Sequence, residues 1–299
     1  MKKNIKRILV GSLAALLIIM SVSSAFAATI YYYFGYLYTN ISNEKVSLYG
    51  IDDPEIEVLF VPASLNNKSV VDIRNNAFKD NTDFRSISFD GAVNLERIGS
   101  FAFSGCSAVT GEVKIPSNVT TVEIGAFQNC SSIESVVYNA TNGSVPNQCF
   151  KGCSALSSVT LNDTVTGIGD YAFADCPSLE YLEIPGTVSS ISDAAFNNDP
   201  DLIIGVYKDT VGHQYAVNNR IDHIVLDGDK LGDVTGDGVV DVFDATEIQK
   251  YAAESTDFTD EQFELGDINK DGFVDVIDAL LVQKSVVGMY DIPENIIRY

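Results

Sequence analysis

Two internal repeats of different kind predict a chain in two parts: a solenoid of short parallel strands with irregular, turn-like returns, about six repeats long, and then a small all-α module. The first observation is a dipeptide of a small residue and Phe. It recurs as Ala77-Phe78, Ala102-Phe103, Ala126-Phe127, Cys149-Phe150, Ala172-Phe173 and Ala195-Phe196. The second is its spacing, which is nearly constant from the first Phe to the last. A fixed period in the twenties is the signature of stacked repeats. The third is an Asp/Gly-rich loop with an apolar helical pattern after it, present twice in the C-terminal part, beginning at Asp233 and again at Asp267.

The chain opens, over residues 1–27, with the layout of a secretory signal peptide. Lys2, Lys3, Lys6 and Arg7 form a basic start, Ile8 to Met20 is apolar and too short to span a bilayer, and Ala25-Phe26-Ala27 is an A-x-A cleavage site. A secreted, extracellular protein without membrane insertion is expected, and Ala28, where a lipid anchor needs Cys, argues against one. The 299 residues suit about two domains, and a 46% hydrophobic content is enough to fill a core. The formal charge is −22, and without the leader 15 bases face 41 acids. That excludes a nucleic-acid partner, whose phosphates demand basic surface.

Residues 28–57 hold Tyr31, Tyr32, Tyr33, Tyr36, Tyr38 and Tyr49. An N-terminal cap over the open end of the solenoid is expected, since every solenoid needs one. Aromatic faces that stack on sugars are the other reading.

Residues 58–226 carry the repeat. Cys106, Cys130, Cys153 and Cys176 each lie three residues after a Phe; Val109, Ile133, Leu156 and Leu179 lie six after. Alternating runs such as Ser157–Leu161 and Glu180–Ile184 follow and read as strands. Two runs end in Ile-Pro, at Ile115-Pro116 and Ile184-Pro185, where Pro closes a strand without spoiling a ladder. Val122, Val145, Ile168 and Ile191 form a second apolar column. One repeat cannot bury its apolar face alone, so stacked neighbours must bury Phe on Phe, Cys on Cys and Leu on Leu. The cysteines are then expected as small buried hydrophobes, with disulfides between neighbours as the alternative. In the fourth repeat Tyr138–Gln148 lacks Ile-Pro and carries Asn139, Asn142 and Gly143, which predicts a local bulge.

The pattern I-x-x-x-A-F-x-x-C-x-x-L-x-x-V-x-I-P resembles the BspA-type leucine-rich repeats of bacterial surface and secreted proteins, over roughly residues 45–226. Val58–Asn76 looks like the usual entry into such an array, and Tyr207–Leu226, with Tyr215-Ala216 before a short strand Ile221–Leu226, like the usual exit. The resemblance implies a leucine-rich repeat solenoid with a binding or display role toward an unidentified protein or polysaccharide.

After a short linker, 227–231, the last part spans 232–299. Its two loops place oxygen donors at positions 1, 3, 5, 9 and 12 and Gly at position 6. They are Asp233, Thr235, Asp237, Asp241 and Asp244, then Asp267, Asn269, Asp271, Asp275 and Asp278, with backbone carbonyls expected from Val239 and Phe273 at position 7. That is EF-hand calcium-loop spacing. Four carboxylates in each loop repel one another without a cation, so two Ca2+ ions are expected, the first loop weaker because Thr235 replaces Asp or Asn. Plain Asp/Gly turns are the alternative. Helices are expected over Asp244–Glu254 and Asp278–Val287, and no convincing helix precedes either loop.

Two G-D-x-[TN]-x-D-G-x-V-D-x-x-D loops, with Gln249-Lys250 and Gln283-Lys284 at equivalent places after them, resemble a type I dockerin, the small all-α module with two EF-hand-like calcium loops. The resemblance implies calcium-dependent binding to a scaffoldin cohesin. Its contacts fall at Val242, Phe243, Val276 and Ile277, with Lys250 and Lys284 on the helix faces. Core packing is the other role for the four apolar residues. None of them is the hydroxyl residue that many dockerins carry there. Repetition implies two similar faces.

There is no G-x-S-x-G, no H-E-x-x-H and no Gly-rich phosphate loop, and His213 and His223 sit in the array's exit. The expectation is a non-catalytic secreted cellulosome-associated protein acting in plant polysaccharide degradation. A carbohydrate-binding protein and a hydrolase of unrecognised type are the alternatives.

Overall fold

The computed structural model describes residues 30–53, 55–226, 230–290 and 296–297; the leader and most of the linker lie outside these. The described chain starts with an antiparallel hairpin, β1 (Tyr31–Tyr33) and β2 (Tyr36–Asn40), which leads into β3 (Lys45–Ile51). Tyr38 is buried, and Tyr31, Tyr33 and Tyr36 pack against the core, so most of the Tyr-rich start is a lid over the first repeat. Tyr32 and Tyr49 stay partly exposed.

From there two lines of short strands run along the array. One comprises β4 (Val58–Phe60), β7 (Ser86–Ser88), β9 (Gly111–Ile115), β11 (Ile133–Tyr138), β13 (Ser158–Leu161), β15 (Tyr181–Glu183), β17 (Ile203–Val206) and β18 (His223–Val225). The second starts from β3 and β6 (Lys68–Ile73), with the short β5 (Ser64–Leu65) beside β6. It continues through β8 (Arg97–Ile98), β10 (Thr121–Val122), β12 (Ser144–Val145), β14 (Gly167–Ile168) and β16 (Ser190–Ile191). Within each sheet successive repeats pair in parallel, for example Val136↔Val113 and Val136↔Val159; the first line divides into the sheets β4-β7, β9-β11-β13 and β15-β17-β18, and the second between β10 and β12. The register shift in β11 falls between Ile133 and Ser135, earlier than the Tyr138–Gln148 stretch where a bulge was expected. In that stretch Tyr138 is buried, and its hydroxyl binds Asn142 Oδ1 and the Ser144 carbonyl, each at 2.9 Å. β11 still pairs with β9 and β13 on the first line, but the second line is interrupted here, since β12 pairs with β14 and β10 with β8, in separate sheets.

The Phe column becomes one continuous stack. Phe78, Phe103, Phe127, Phe150, Phe173 and Phe196 follow one another at ring-centroid spacings of 5.1 to 5.8 Å, nearly parallel. Phe84 meets the first ring edge-on and Tyr215 the last. The rings stack offset because faces avoid faces, and each adds contact energy beyond its buried area.

All five cysteines are free and buried. Each thiol of the column donates to the Phe carbonyl of an earlier repeat: Cys106 to Phe78, Cys130 to Phe103, Cys153 to Phe127 and Cys176 to Phe150, at 3.1 to 3.3 Å. Burial raises the pKa of Cys149, Cys153 and Cys176, and that of Cys130 is raised by its hydrogen bond with the Cys106 thiol and then by burial, which keeps all four protonated and poor nucleophiles.

The column ends on Asp199, three residues after Phe196. Asp199 Oδ1 accepts the Cys176 amide at 2.6 Å, while Oδ2 is buried with no hydrogen-bond partner among the described residues. Burial, with Asp175 pushing the same way, raises this carboxyl to about 7. A neutral carboxyl tolerates a buried oxygen with no donor to satisfy it; an ionised one does not. The folded state thus holds a proton that the unfolded chain releases near pH 4. This contribution is full below pH 4 and is lost as pH rises through 7. Asp199→Asn should flatten that part of the pH–stability curve. It should also raise the melting temperature at pH 8 by about 2–4 °C, a figure discounted for the group's partial exposure. Thermal melts from pH 4 to 8 check this; parallel curves for the two proteins would refute it.

The exit contains a helix that the sequence reading did not include, α1 (Val211–Asn219), capped by Thr210. Its Tyr215 closes the ring stack. The C-terminal module then brings α2 (Val242–Ala252), α3 (Asp260–Gly266) and α4 (Val276–Val286). Against expectation, a helix does precede the second loop: Thr259 and Gln262 form a reciprocal capping box that starts α3. The module has its own core, separate from the array's. It is built in pairs from equivalent positions of the two copies: Leu231 with Leu265, Val234 with Ile268, Ala245 with Ala279 and Ile248 with Val282. Finally β19 (Ile296–Ile297) returns to the array and pairs antiparallel with β18.

Candidate functional site

The site is assembled from the two acidic loops and the first turns of the helices leaving them. Each loop folds around its first and last carboxylates. Asp233 accepts amides from Gly236 (2.8 Å), Asp237 (3.2 Å) and Gly238 (2.7 Å). Asp267 accepts those of Asp271 (3.1 Å) and Gly272 (2.9 Å). Gly238 and Gly272, at position 6, have φ of 85° and 87°, a conformation that glycine alone takes at no cost. At position 12, Asp244 binds the amides of Thr235 and Asp241, and Asp278 those of Ile268, Asn269 and Asp275, so each loop's end is tied to its start. Asp244 and Asp278 are fully buried, and Asp233 and Asp267 nearly so. Burial pushes the Asp278 carboxyl above the ordinary Asp range, with Asp267 adding to it against the three backbone amides.

The remaining donor positions lie at the rim. Thr235, Asp237, Val239, Asn269, Asp271 and Phe273 are exposed. Asp237 and Asp271 bind the amides of Val239 and Phe273. Asp241 and Asp275 accept from Phe243 and Ile277 as N-caps, and Asp244 and Asp278 complete the capping boxes. Among the described residues, no group of three or more His, Cys, Asp or Glu side chains is gathered into a ready cation cage.

At positions 10 and 11 of the loops, the four apolar residues flagged in the sequence are exposed: Val242 at 52%, Phe243 at 67%, Val276 at 64% and Ile277 at 50%. They therefore form surface and do not pack the core. Lys250 and Lys284 are exposed two turns further along their helices, Lys250 paired to Glu247 at 2.6 Å. The sequence reading missed Leu280, 45% exposed between Val276 and Lys284 on one stripe of α4. Its i+4 spacing from Val276 was the available signal. The equivalent residue of α2 is Thr246, so the two faces are similar but not identical.

His213 and His223 lie against each other with ring centroids 5.5 Å apart, His223 buried. That is a packing arrangement at the array's end.

Family models for the BspA type leucine rich repeat region match six times within residues 71–203, and the model for the dockerin type I domain matches 231–287. The chain carries a BspA-type leucine-rich repeat region and a type I dockerin domain. Similar solved structures include a leucine rich cell surface protein from Faecalibacterium prausnitzii, 22% identical over 61% of this chain and 56% of that one, with a TM-score of 0.45. A T. pallidum leucine rich repeat protein is 17% identical over 57% of this chain and 68% of its own, with a TM-score of 0.35. The chain thus spans little more than half the length of the Faecalibacterium protein. No curated protein matches.

Leucine-rich repeats and dockerins are non-catalytic kinds of domain, and type I dockerins are calcium-binding ones. The dockerin's residues fit such an ion in their chemistry: every side-chain donor is a hard oxygen, as calcium requires. The buried carboxylates at positions 1 and 12, with Asp267 raising the pKa of Asp278, are the charge that a dication relieves. Among the described residues no helix is long and apolar enough to cross a membrane.

Proposed function

We propose that this is a secreted, non-catalytic component of a cellulosome-type assembly, docked to a scaffoldin cohesin through its calcium-loaded dockerin while its leucine-rich array engages a protein or a surface. The observation that carries the reading is the exposed apolar set Val242, Phe243, Val276 and Ile277 at the start of two helices whose caps belong to the acidic loops. A surface of this kind on a charged module marks a docking site.

Calcium, when bound, supplies positive charge that lets several carboxylates converge. Asp233, Thr235, Asp237, Asp241 and Asp244 would hold one ion and Asp267, Asn269, Asp271, Asp275 and Asp278 the other, with the carbonyls of Val239 and Phe273. The chain's own part is to couple loop order to helix position. Asp241 and Asp275 are both loop residues and helix caps, so fixing the loops fixes the start of α2 and α4 and the apolar residues there. Plant polysaccharide degradation enters as the setting of the assembly and is no activity of this chain.

Titration calorimetry of the full chain with calcium, then with a panel of cohesins, tests the reading. Two calcium sites and one tight cohesin support it; calcium binding with no cohesin partner overturns the docking half.

A second reading rests on a separate observation. An open cleft of about 350 Å3 lies between the N-terminal hairpin and the first repeat, lined by Tyr49, Gly50, Lys79, Asp80, Asn81 and Asp83, among others. An aromatic ring beside planar polar groups suits a sugar. Retention of the protein on insoluble cellulose or xylan, lost in Tyr49→Ala, would favour a polysaccharide as the array's ligand.

A further inference from the structure

We infer that the segment Ile296–Ile297, beyond the dockerin, is the closing strand of the leucine-rich array, so that the dockerin is held at both of its ends. In register, His223 lies opposite Ile297 and Ile224 opposite Ile296. β19 is therefore the outer strand of the sheet β15-β17-β18-β19. The dockerin match stops at residue 287, so the strand is extra to that module. Ile296-Ile297 is a β-branched pair suited to a strand.

The physical need is clear from the array itself. In a parallel stack every strand offers its outer edge to the next repeat, and the strand of the final repeat has none to receive it. β18 pairs with β17 on one side; without β19 its other edge would expose free amide and carbonyl groups, a template for another chain. The first end of the array meets the same problem with the same device. There β2 and β1 run antiparallel on β3 and stop the stacking. At each end one of the two lines is thus finished by an antiparallel strand, the second line by β2 from before the array and the first by β19 from beyond the dockerin.

This changes what the dockerin is mechanically. A module on a single linker swings; one whose entry follows β18 and whose exit leads into β19 is a loop between two paired strands. The cohesin-facing residues of α2 and α4 are then carried on a module whose two ends both return to the array's last strand.

Cross-linking in the full chain tests this. Ile224→Cys with Ile296→Cys joins positions directly opposite each other in the ladder, whereas Ile224→Cys with Ile297→Cys pairs positions one residue out of register, on opposite faces. The native thiols are buried. Mild oxidation should give an intramolecular disulfide in most molecules of the first variant and in few of the second. Equal yields from the two variants, or disulfides only between molecules, would overturn the inference. A chain ended after Tyr290 gives the second readout. Amide hydrogen exchange at residues 223–225 should speed up at least tenfold while residues 133–161 stay protected; unchanged exchange at 223–225 also counts against the strand.

Discussion

Replacing Asp233 and Asp267 together by alanine is expected to abolish cohesin binding while leaving the leucine-rich array folded. Each carboxylate does two things. In the proposed calcium site it would be the first oxygen donor of its loop, and it accepts the amides that shape the loop: Gly236, Asp237 and Gly238 in the first, Asp271 and Gly272 in the second. Removing it takes away a ligand and leaves those amides without the acceptor they had. Calcium present at about a thousand times its Kd stabilises a folded site by about 4 kcal/mol, and the double variant forfeits that at both loops. The module's small core leaves little in reserve. Calorimetry with a matched cohesin should show no binding up to high micromolar concentration, and chelating the calcium of the unaltered protein should have the same effect. Unchanged affinity in the double variant would sink the coupling of loop to helix. Because the array's core is separate, its circular-dichroism melt should persist in the variant.

Phe127→Ala should be the most damaging single change in the array, at about 3–5 kcal/mol. Phe127 is fully buried and stacks on Phe103 at 5.1 Å and on Phe150 at 5.6 Å, so alanine leaves a void with a ring on both sides. In a solenoid, stability is a sum of repeat terms and nearest-neighbour interfaces, and a gap in the middle breaks two interfaces. Phe196→Ala, at the end of the stack and slightly exposed, should cost less. Denaturant unfolding of both variants makes the comparison; equal losses would show that the stack does not act as a chain of neighbours.

The array was legible because its physics repeats. A Phe at a near-constant interval predicts a stack, and the stack is there; the cysteine column, whose redox state was open, is a line of buried thiols. What stayed hidden depends on single residues or on distant pairing. Asp199 ends the thiol column, but its orphaned oxygen is a property of packing. The turn of helix before the second loop rests on a capping box, Thr259 to Gln262, with a short apolar run behind it, too brief for periodicity to reveal. In the dockerin, the donor spacing was plain, whereas the exposure of Val242, Phe243, Val276 and Ile277 was decided by which face of each helix the pairs Ala245–Ala279 and Ile248–Val282 claim for the interior.

The pairing of β19 with β18 also has a meaning in time. A ribosome delivers residues in order, and the two partners of this ladder are separated by the whole dockerin. The early repeats can stack as they emerge, each on the one before, but the final edge waits until Ile296 and Ile297 have been made. A nascent chain, or one cut short within the dockerin, therefore carries an open edge, and synthesis of the dockerin is the interval during which that edge stays unguarded.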